Sequence, residues 1–494
     1  MSKYLWAMLM SGSVIVAGCD EQTTELQSQT KQIPKSQAEQ TTELQPQTKQ
    51  ILKPQSQAEQ IPERQYQNAI EILEEIDEAG VMTDGQSKVL STFDVLSFDG
   101  RTSITNIQLE SLSKFTNLAL NDFTSITDSQ AETLSKVRVL ALNGLTSLTD
   151  SQAESLSKVV GLELNGLTSL TEPQAEIVSK VKFNLALNGL VSLTETQAES
   201  LSNCYSLGLN GLTSITDQQA ESLSEVNSIE LNGLTSITEA QAASLSKVES
   251  LSLYGLTSIT DEQAESLSEL EGSLYLNGLT SITDQQAESF VKVKFNLALN
   301  GLVSLTDAQA ESLSKFRLLA LNGLTSLTDT QAESLSKVVG LELNGLTSIT
   351  DTQAESLSKV QGLSLIKPSE GTSPEAWKFG RLHLNGLTSI NDLQAESLSK
   401  VGSLALNGLT LLTEPQAEIL SKVKFNLALN GLVSLTDAQA KSLGEVDNLE
   451  LMGLTSITEA QAESLGKVYF LDVSDSIHLQ VYKYRYGRFE RNLR

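Results

Sequence analysis

Few side chains in this 494-residue chain belong to the classes that do covalent or proton-transfer chemistry: two cysteines, Cys19 and Cys204, and two histidines, His383 and His478. No Ser, Cys or acid beside either histidine forms a recognisable nucleophile and base constellation. The many serines recur at fixed repeat positions. Neither catalytic residues nor a cofactor are therefore expected. Acids are plentiful but fall into two columns, one at helix starts (Asp150, Glu172, Glu195, Asp217) and one within helices (Glu154, Glu176, Glu199, Glu221). The first column faces helix N-termini, where acids are stabilising, so capping is its expected role. No Asp-x-Asp-x-Asp-Gly loop builds a dedicated calcium site, and no metal centre is expected; weak calcium binding along the columns stays open. Cys204 stands where other units carry Val159 or Val226 and reads as a small core residue.

What must position any functional residue is a repeat. Sixteen times between Asp99 and Ser456 the chain writes a version of Leu-x-Leu-Asn-Gly-Leu-Thr-Ser-Ile-Thr-Asp-x-Gln-Ala-Glu-Ser-Leu-Ser-Lys-Val, with turn glycines mostly 22 or 23 residues apart (Gly144, Gly166, Gly189, Gly211 and onward). A fixed short period means stacked supersecondary units, none able to bury its apolar face alone. In the unit at 137–158, Val139 to Leu142 reads as a short strand with Leu140 and Leu142 on one face and Ala141 on the other. Asn143-Gly144 turns the chain, an expectation resting on the tolerance of both residues for positive φ. Thr149 and Gln152 have capping-box spacing at a helix start. Ala153 and Leu156 share the inner face of a helix of about two turns, and Lys158 is expected in its last turn.

The spacing Val137-x-x-Leu140-x-Leu142-x-x-Leu145-x-x-Leu148-Thr149-Asp150 resembles the leucine-rich repeat, in particular its cysteine-containing variety, over about three quarters of the chain. The resemblance implies an α/β leucine-rich repeat solenoid, a horseshoe or arc with a parallel β-sheet on the concave side and short helices on the convex side. One departure is consistent: where that family has Asn or Cys, this chain has Leu145, Leu167 and Leu212. The family's buried polar ladder is accordingly expected to be missing.

Residues 1–18 carry Lys3 and a short apolar run, and Val16-Ala17-Gly18-Cys19 resembles the bacterial lipobox, which implies a signal peptide, lipidation at Cys19 and membrane attachment through that lipid. An ordinary cleaved signal or an uncleaved anchor are the other readings, and the leaflet is open. Residues 19–62 are Gln-rich with almost no core-forming side chains and read as a disordered tether. Residues 63–95 have helical spacing at Ile70, Leu73, Ile76 and Ala79 and read as an N-terminal cap for a solenoid over 96–473. Residues 474–494 form a basic-aromatic end, read as a capping strand, a frayed end or a contact to anionic lipid or polymer.

Charge is unevenly placed. Of the net −27, the segment through Cys19 carries +1, residues 20–66 carry −2 and residues 479–494 carry +4, so residues 67–478 carry −30. Such a polyanion stays soluble and repels nucleic acid, which is not an expected partner. The partner expected from the resemblance is a protein or glycan on the concave face. The outward strand positions there read Ala141, Glu163, Ala186, Gly208, Glu230, Ser252, Tyr275 and, further along, Glu342, His383 and Glu450, a smooth, mildly acidic surface with few anchors. Two deviations stand out as candidate ligand-binding residues. Tyr254 replaces the usual turn Asn, with Tyr275 in the next unit and Glu230 before it. The period also breaks at 364–381, which reads either as an irregular unit absorbed by the stack or as a recognition loop; it carries Trp377, with Arg381 and His383 directly after. The reading is a non-catalytic envelope lipoprotein for binding or adhesion, or else a scaffolding spacer without a ligand.

Overall fold

The computed structural model describes residues 50–54, 93–98, 106–113, 115–360, 380–474, 477, 478, 480 and 481. The expected signal peptide with Cys19, most of the tether and cap, Trp377 with nearly all of the irregular unit, and most of the C-terminal end lie outside them. Among the described residues, β1 (Gln50–Pro54), inside the stretch read as tether, pairs antiparallel with β2 (Phe93–Phe98). Sixteen strands of three or four residues follow, from Asn117–Ala119 to Phe470–Val473, alternating with helices from Asn106–Leu112 to Glu459–Leu465. From β2 onward each strand pairs parallel with the next in sequence order. The protein is an α/β leucine-rich repeat solenoid, with an open sheet roughly 80 Å long at the usual strand spacing.

Each unit feeds one core. In the unit that begins at Val137, Val137, Leu140, Leu142 and Leu145 are buried, as are Ala153 and Leu156 of the helix Asp150–Leu156, and every later unit repeats the set. Beyond the last strand, Ile477 and Val481 are buried against the same core, and residues 477, 478, 480 and 481 are helical where a capping strand or frayed end was read. Units of 23 residues insert one charged residue ahead of the strand (Lys182, Glu271, Lys294, Lys424). The two inserts in adjacent units, Glu271 and Lys294, pair at 2.6 Å.

Three hydrogen-bond ladders tie unit to unit. The first uses the capping glutamine. Gln286 Oε1 accepts from Thr283 N at 3.0 Å, its own amide donates to Thr283 Oγ1, and its Nε2 donates to the carbonyl of Ile259 in the preceding unit at 2.9 Å. The pattern runs from Gln152 with Ile126 to Gln461 with Leu435. The second ladder joins the cap threonine to the acid at the preceding helix start, as in Thr283 Oγ1 to Asp261 at 2.8 Å and Thr306 Oγ1 to Asp284 at 2.8 Å. The acid column therefore serves the helix starts twice, within its unit and across the junction.

The third ladder corrects an expectation. A polar ladder is present, moved two residues toward the strand: the turn Asn side chain accepts the backbone N–H of the turn residue in the next unit, as in Asn165 N to Asn143 Oδ1 at 3.2 Å and Asn210 N to Asn188 Oδ1 at 3.0 Å. Leucine can fill the family's Asn/Cys place because Asn143 does this work from the turn. The irregular stretch interrupts neither strand pairing nor ladders, since Gly340–Glu342 pairs with Arg381–His383, Asn385 N donates to Asn344, and Gln394 Nε2 donates to Ile349.

Two smaller expectations also change. Lys158 lies past the helix end, beyond the C-cap Ser157, whose hydroxyl donates to the Glu154 carbonyl at 2.9 Å. None of the turn glycines has a positive φ; what excludes a side chain is the preceding unit's backbone. A Cβ on Gly323 would stand 2.3 Å from the Asn300 carbonyl oxygen and 2.7 Å from that of Leu302, whereas one on Gly161 would meet nothing closer than a Val139 methyl at 3.5 Å. Gly323→Ala is expected to lower unfolding free energy by about 1–3 kcal/mol and Gly161→Ala to change it by less than about 0.5 kcal/mol, read from urea melts of the two variants.

Candidate functional site: the outward face of the strand ladder

Strand register decides which residues share this face. Because side chains alternate along a strand, the buried central leucines leave the flanking positions turned outward. Pairing aligns the row Glu163, Ala186, Gly208, Glu230, Ser252, Tyr275, Ala298, Ala320, Glu342, His383, Ala405, Ala428 and Glu450. The small members leave a smooth floor from which the larger ones project.

The glutamates of this row are held in one way. Asn143 Nδ2 donates to Glu163 at 3.0 Å, Asn210 to Glu230 at 3.1 Å, Asn322 to Glu342 at 3.2 Å and Asn430 to Glu450 at 3.4 Å, with Asn426 adding a second donor to Glu450 at 3.1 Å. Each turn Asn thus offers its carbonyl to the ladder and its amide to a carboxylate wherever the next unit supplies one. Fixed carboxylates on small-residue ground can receive hydrogen-bond donors or cations of a partner. Burial raises the pKa of Glu230, opposed by the Asn210 hydrogen bond and assisted by the charge of Glu163.

The six sequence candidates fall into two groups, with Trp377 outside the described residues. Glu230, Tyr254 and Tyr275 lie together: Glu230 and Tyr275 flank Ser252 in the row, and Tyr254 is two residues beyond Ser252. Burial raises the pKa of the Tyr275 phenol, its hydrogen bonds with Ser273 and Asn296 lower it, and Tyr254 and Glu230 are both close enough to add to the rise. Arg381 and His383 stand four strands further on, about 19 Å from the Tyr275 position at ordinary spacing. His383 Nδ1 is 3.6 Å from Glu342. Burial depresses the pKa of His383; Glu342 and Glu450 oppose this and Arg381 adds to it.

Sequence reasoning placed Glu342 and Glu450 in the acidic row without a role. The signal that finds their partners is a spacing of 20 residues from turn Asn to outward Glu, at Asn143, Asn210, Asn322 and Asn430. Cys204 is buried and unpaired, its thiol pushed up to about 12 by desolvation, so it is inert as a nucleophile. Among the described residues no helix is long and apolar enough to cross a membrane.

No family model matches the chain, and no curated protein matches it. Among solved structures it is similar to the TLR13–ssRNA13 complex, with 16% identity over 73% of this chain and 57% of that one and a TM-score of 0.42. It is also similar to the Toll–Spatzle complex of Drosophila, with 16% identity over 79% of this chain and 51% of that one and a TM-score of 0.41. An internalin, InlF of Listeria monocytogenes, shares 18% identity over 70% of this chain and 97% of its own length, with a TM-score of 0.31. The chain spans 57% and 51% of the first two. The fold assignment rests on the chain's own register, core and ladders.

Tyr254 sits in the Asn ladder as a donor only. Its N–H donates to Asn232 at 3.0 Å, but it has no carboxamide to pass to Asn277, and the ladder restarts with Asn277 and Asn300. Restoring the rung with Tyr254→Asn is expected to raise unfolding free energy by about 1 kcal/mol, measured by urea melt. An unchanged or lowered stability means the tyrosine contributes more to the fold than the missing rung.

Proposed function

We propose that this chain is a lipid-anchored, non-catalytic leucine-rich repeat protein of the cell envelope that binds a protein, or a glycan, on its strand face and so serves adhesion or recognition. The observation that carries the reading is the clustering of Glu230, Tyr254 and Tyr275 on an otherwise smooth floor, where one of the three interrupts a stabilising ladder. A stack kept for length alone has no use for such an interruption, and tyrosines are preferred anchors at interfaces. Anchoring rests on the resemblance of Val16-Ala17-Gly18-Cys19 to a lipobox and on the Gln-rich stretch that follows. Toll appears above in complex with Spatzle and TLR13 with ssRNA; the charge of −27 favours a protein or glycan over RNA here, because a phosphate backbone is repelled by a polyanion. The alternative, a spacer without a ligand, is supported by near-identical units such as Lys182, Lys294 and Lys424 onward, which suit a part used for length.

Both halves of the proposal are open to one cell experiment. Intact cells expressing the full chain are shaved with protease beside Cys19→Ala, and unshaved cells are surface-crosslinked with the wild type and with Glu230→Ala/Tyr254→Ala/Tyr275→Ala. Solenoid fragments should leave wild-type cells, Cys19→Ala should appear in the medium, and the triple variant should lose a crosslinked adduct at least about tenfold. Protection of the wild type until the envelope is opened removes surface display. Equal adduct in the triple variant leaves the spacer reading.

A further inference from the structure

Every Asn-Gly pair of this chain sits in a rung of the asparagine ladder. The pair occurs twelve times, from Asn143-Gly144 to Asn430-Gly431. In each of them the carboxamide oxygen accepts the backbone N–H of the turn residue one unit on. Asn-Gly is also the dipeptide in which a carboxamide is most open to attack by its own backbone, because glycine places no side chain beside its nitrogen. In that reaction the glycine nitrogen bonds to Cγ of the asparagine, the bond from Cγ to Nδ2 breaks, and ammonia leaves. Water then opens the resulting five-membered imide at one carbonyl or the other, giving aspartate or an isoaspartyl linkage. Water is the only co-reactant, and nothing is oxidised or reduced.

The stack opposes the first step from both sides. Asn210 Oδ1 accepts from Asn232 N at 3.0 Å and its Nδ2 donates to Glu230 at 3.1 Å, so both ends of the carboxamide are held by the following unit. The glycine is wedged against the preceding one, where a Cβ on Gly211 would stand 2.5 Å from the carbonyl oxygens of both Asn188 and Leu190. Ring closure turns the carboxamide back onto its own backbone, so the rung must break and the glycine must move in space already filled. The products do not fit the stack they came from. An isoaspartyl linkage lengthens the backbone by one atom at this wedged turn. Aspartate at Asn143, Asn210, Asn322 or Asn430 removes the amide that holds a glutamate and sets carboxylate against carboxylate. We propose that the Asn-Gly turns are modification sites that only unstacking opens: a unit held apart is deamidated and cannot restack, which makes the ladder a one-way latch. The inference is independent of partner capture at the Tyr254 cluster and is read without any ligand.

The test keeps the full chain at mildly alkaline pH in buffer and in urea, beside the free peptide Leu-Asn-Gly-Leu-Thr, and follows each Asn-Gly site by peptide mapping with mass spectrometry. The peptide's rate in each solvent removes the direct effect of urea. Relative to the peptide, the folded chain should convert at least about tenfold more slowly, because attack waits on local opening, while the chain in urea should convert at the peptide's own rate. A second measurement writes one product into the chain as synthesised. Asn210→Asp should lower the urea midpoint, and should do so more than Asn300→Asp, since Asn300 faces Ala320 in the next unit where Asn210 faces Glu230. Conversion of the folded chain at the peptide's rate, or an Asn210→Asp chain with an unchanged midpoint, overturns the proposal.

Discussion

One carboxamide per unit joins local structure to the stack. The capping glutamine closes its own helix start with the threonine three residues earlier, and with its remaining hydrogens reaches a carbonyl of the preceding unit. Most of these glutamines are buried, Gln286 being only 5% exposed, so a glutamine that lost its bonds would find little water to replace them. A helix of seven residues is too short to be stable alone. Its start is therefore organised by the same side chain that ties it to its neighbour, and forming a unit and docking it become one event. The Thr to Asp contacts and the Asn ladder repeat this logic on either side, with the leucine core between them.

This arrangement explains what could be read in advance. Contacts within a unit follow from spacing, and the strand, the capping box and the alternation of Leu140, Ala141 and Leu142 were all legible from Val137 to Lys158. The outward row was legible too, because equal units must align in register. Side-chain contacts between regular units are 20 to 27 residues apart and leave no trace within a unit, which is why Gln152 looked like a cap alone and the Asn143 ladder went unseen. The turn glycines show the same limit: Asn-Gly was read as a conformational pair, whereas Gly323 is required by carbonyls one unit away. The break before Arg381 was the hardest to read, since nothing in its sequence says that Asn385 bonds to Asn344 across it.

Uniformity makes departures informative. Tyr254 in a column of asparagines has no counterpart in neighbouring units and no part in the ladders' side-chain rungs. The candidate residues themselves were visible as exceptions to a pattern, and stacking alone already grouped Tyr254 and Tyr275 with Glu230. The register adds that His383 belongs with Glu342 on the adjacent strand, four strands from Tyr275. The Asn to Glu contacts add that an outward carboxylate here is a fixed element of the face.

The central claim is that polar rungs, as well as leucine burial, hold unit to unit, and Gln286→Leu in the full chain tests it most directly. The substitution leaves the N–H of Thr283 and the carbonyl of Ile259 without their partner while adding apolar surface. Urea melts should show unfolding free energy lowered by about 2–4 kcal/mol. A change below about 0.5 kcal/mol, or a gain, would mean that the leucine core alone holds the stack.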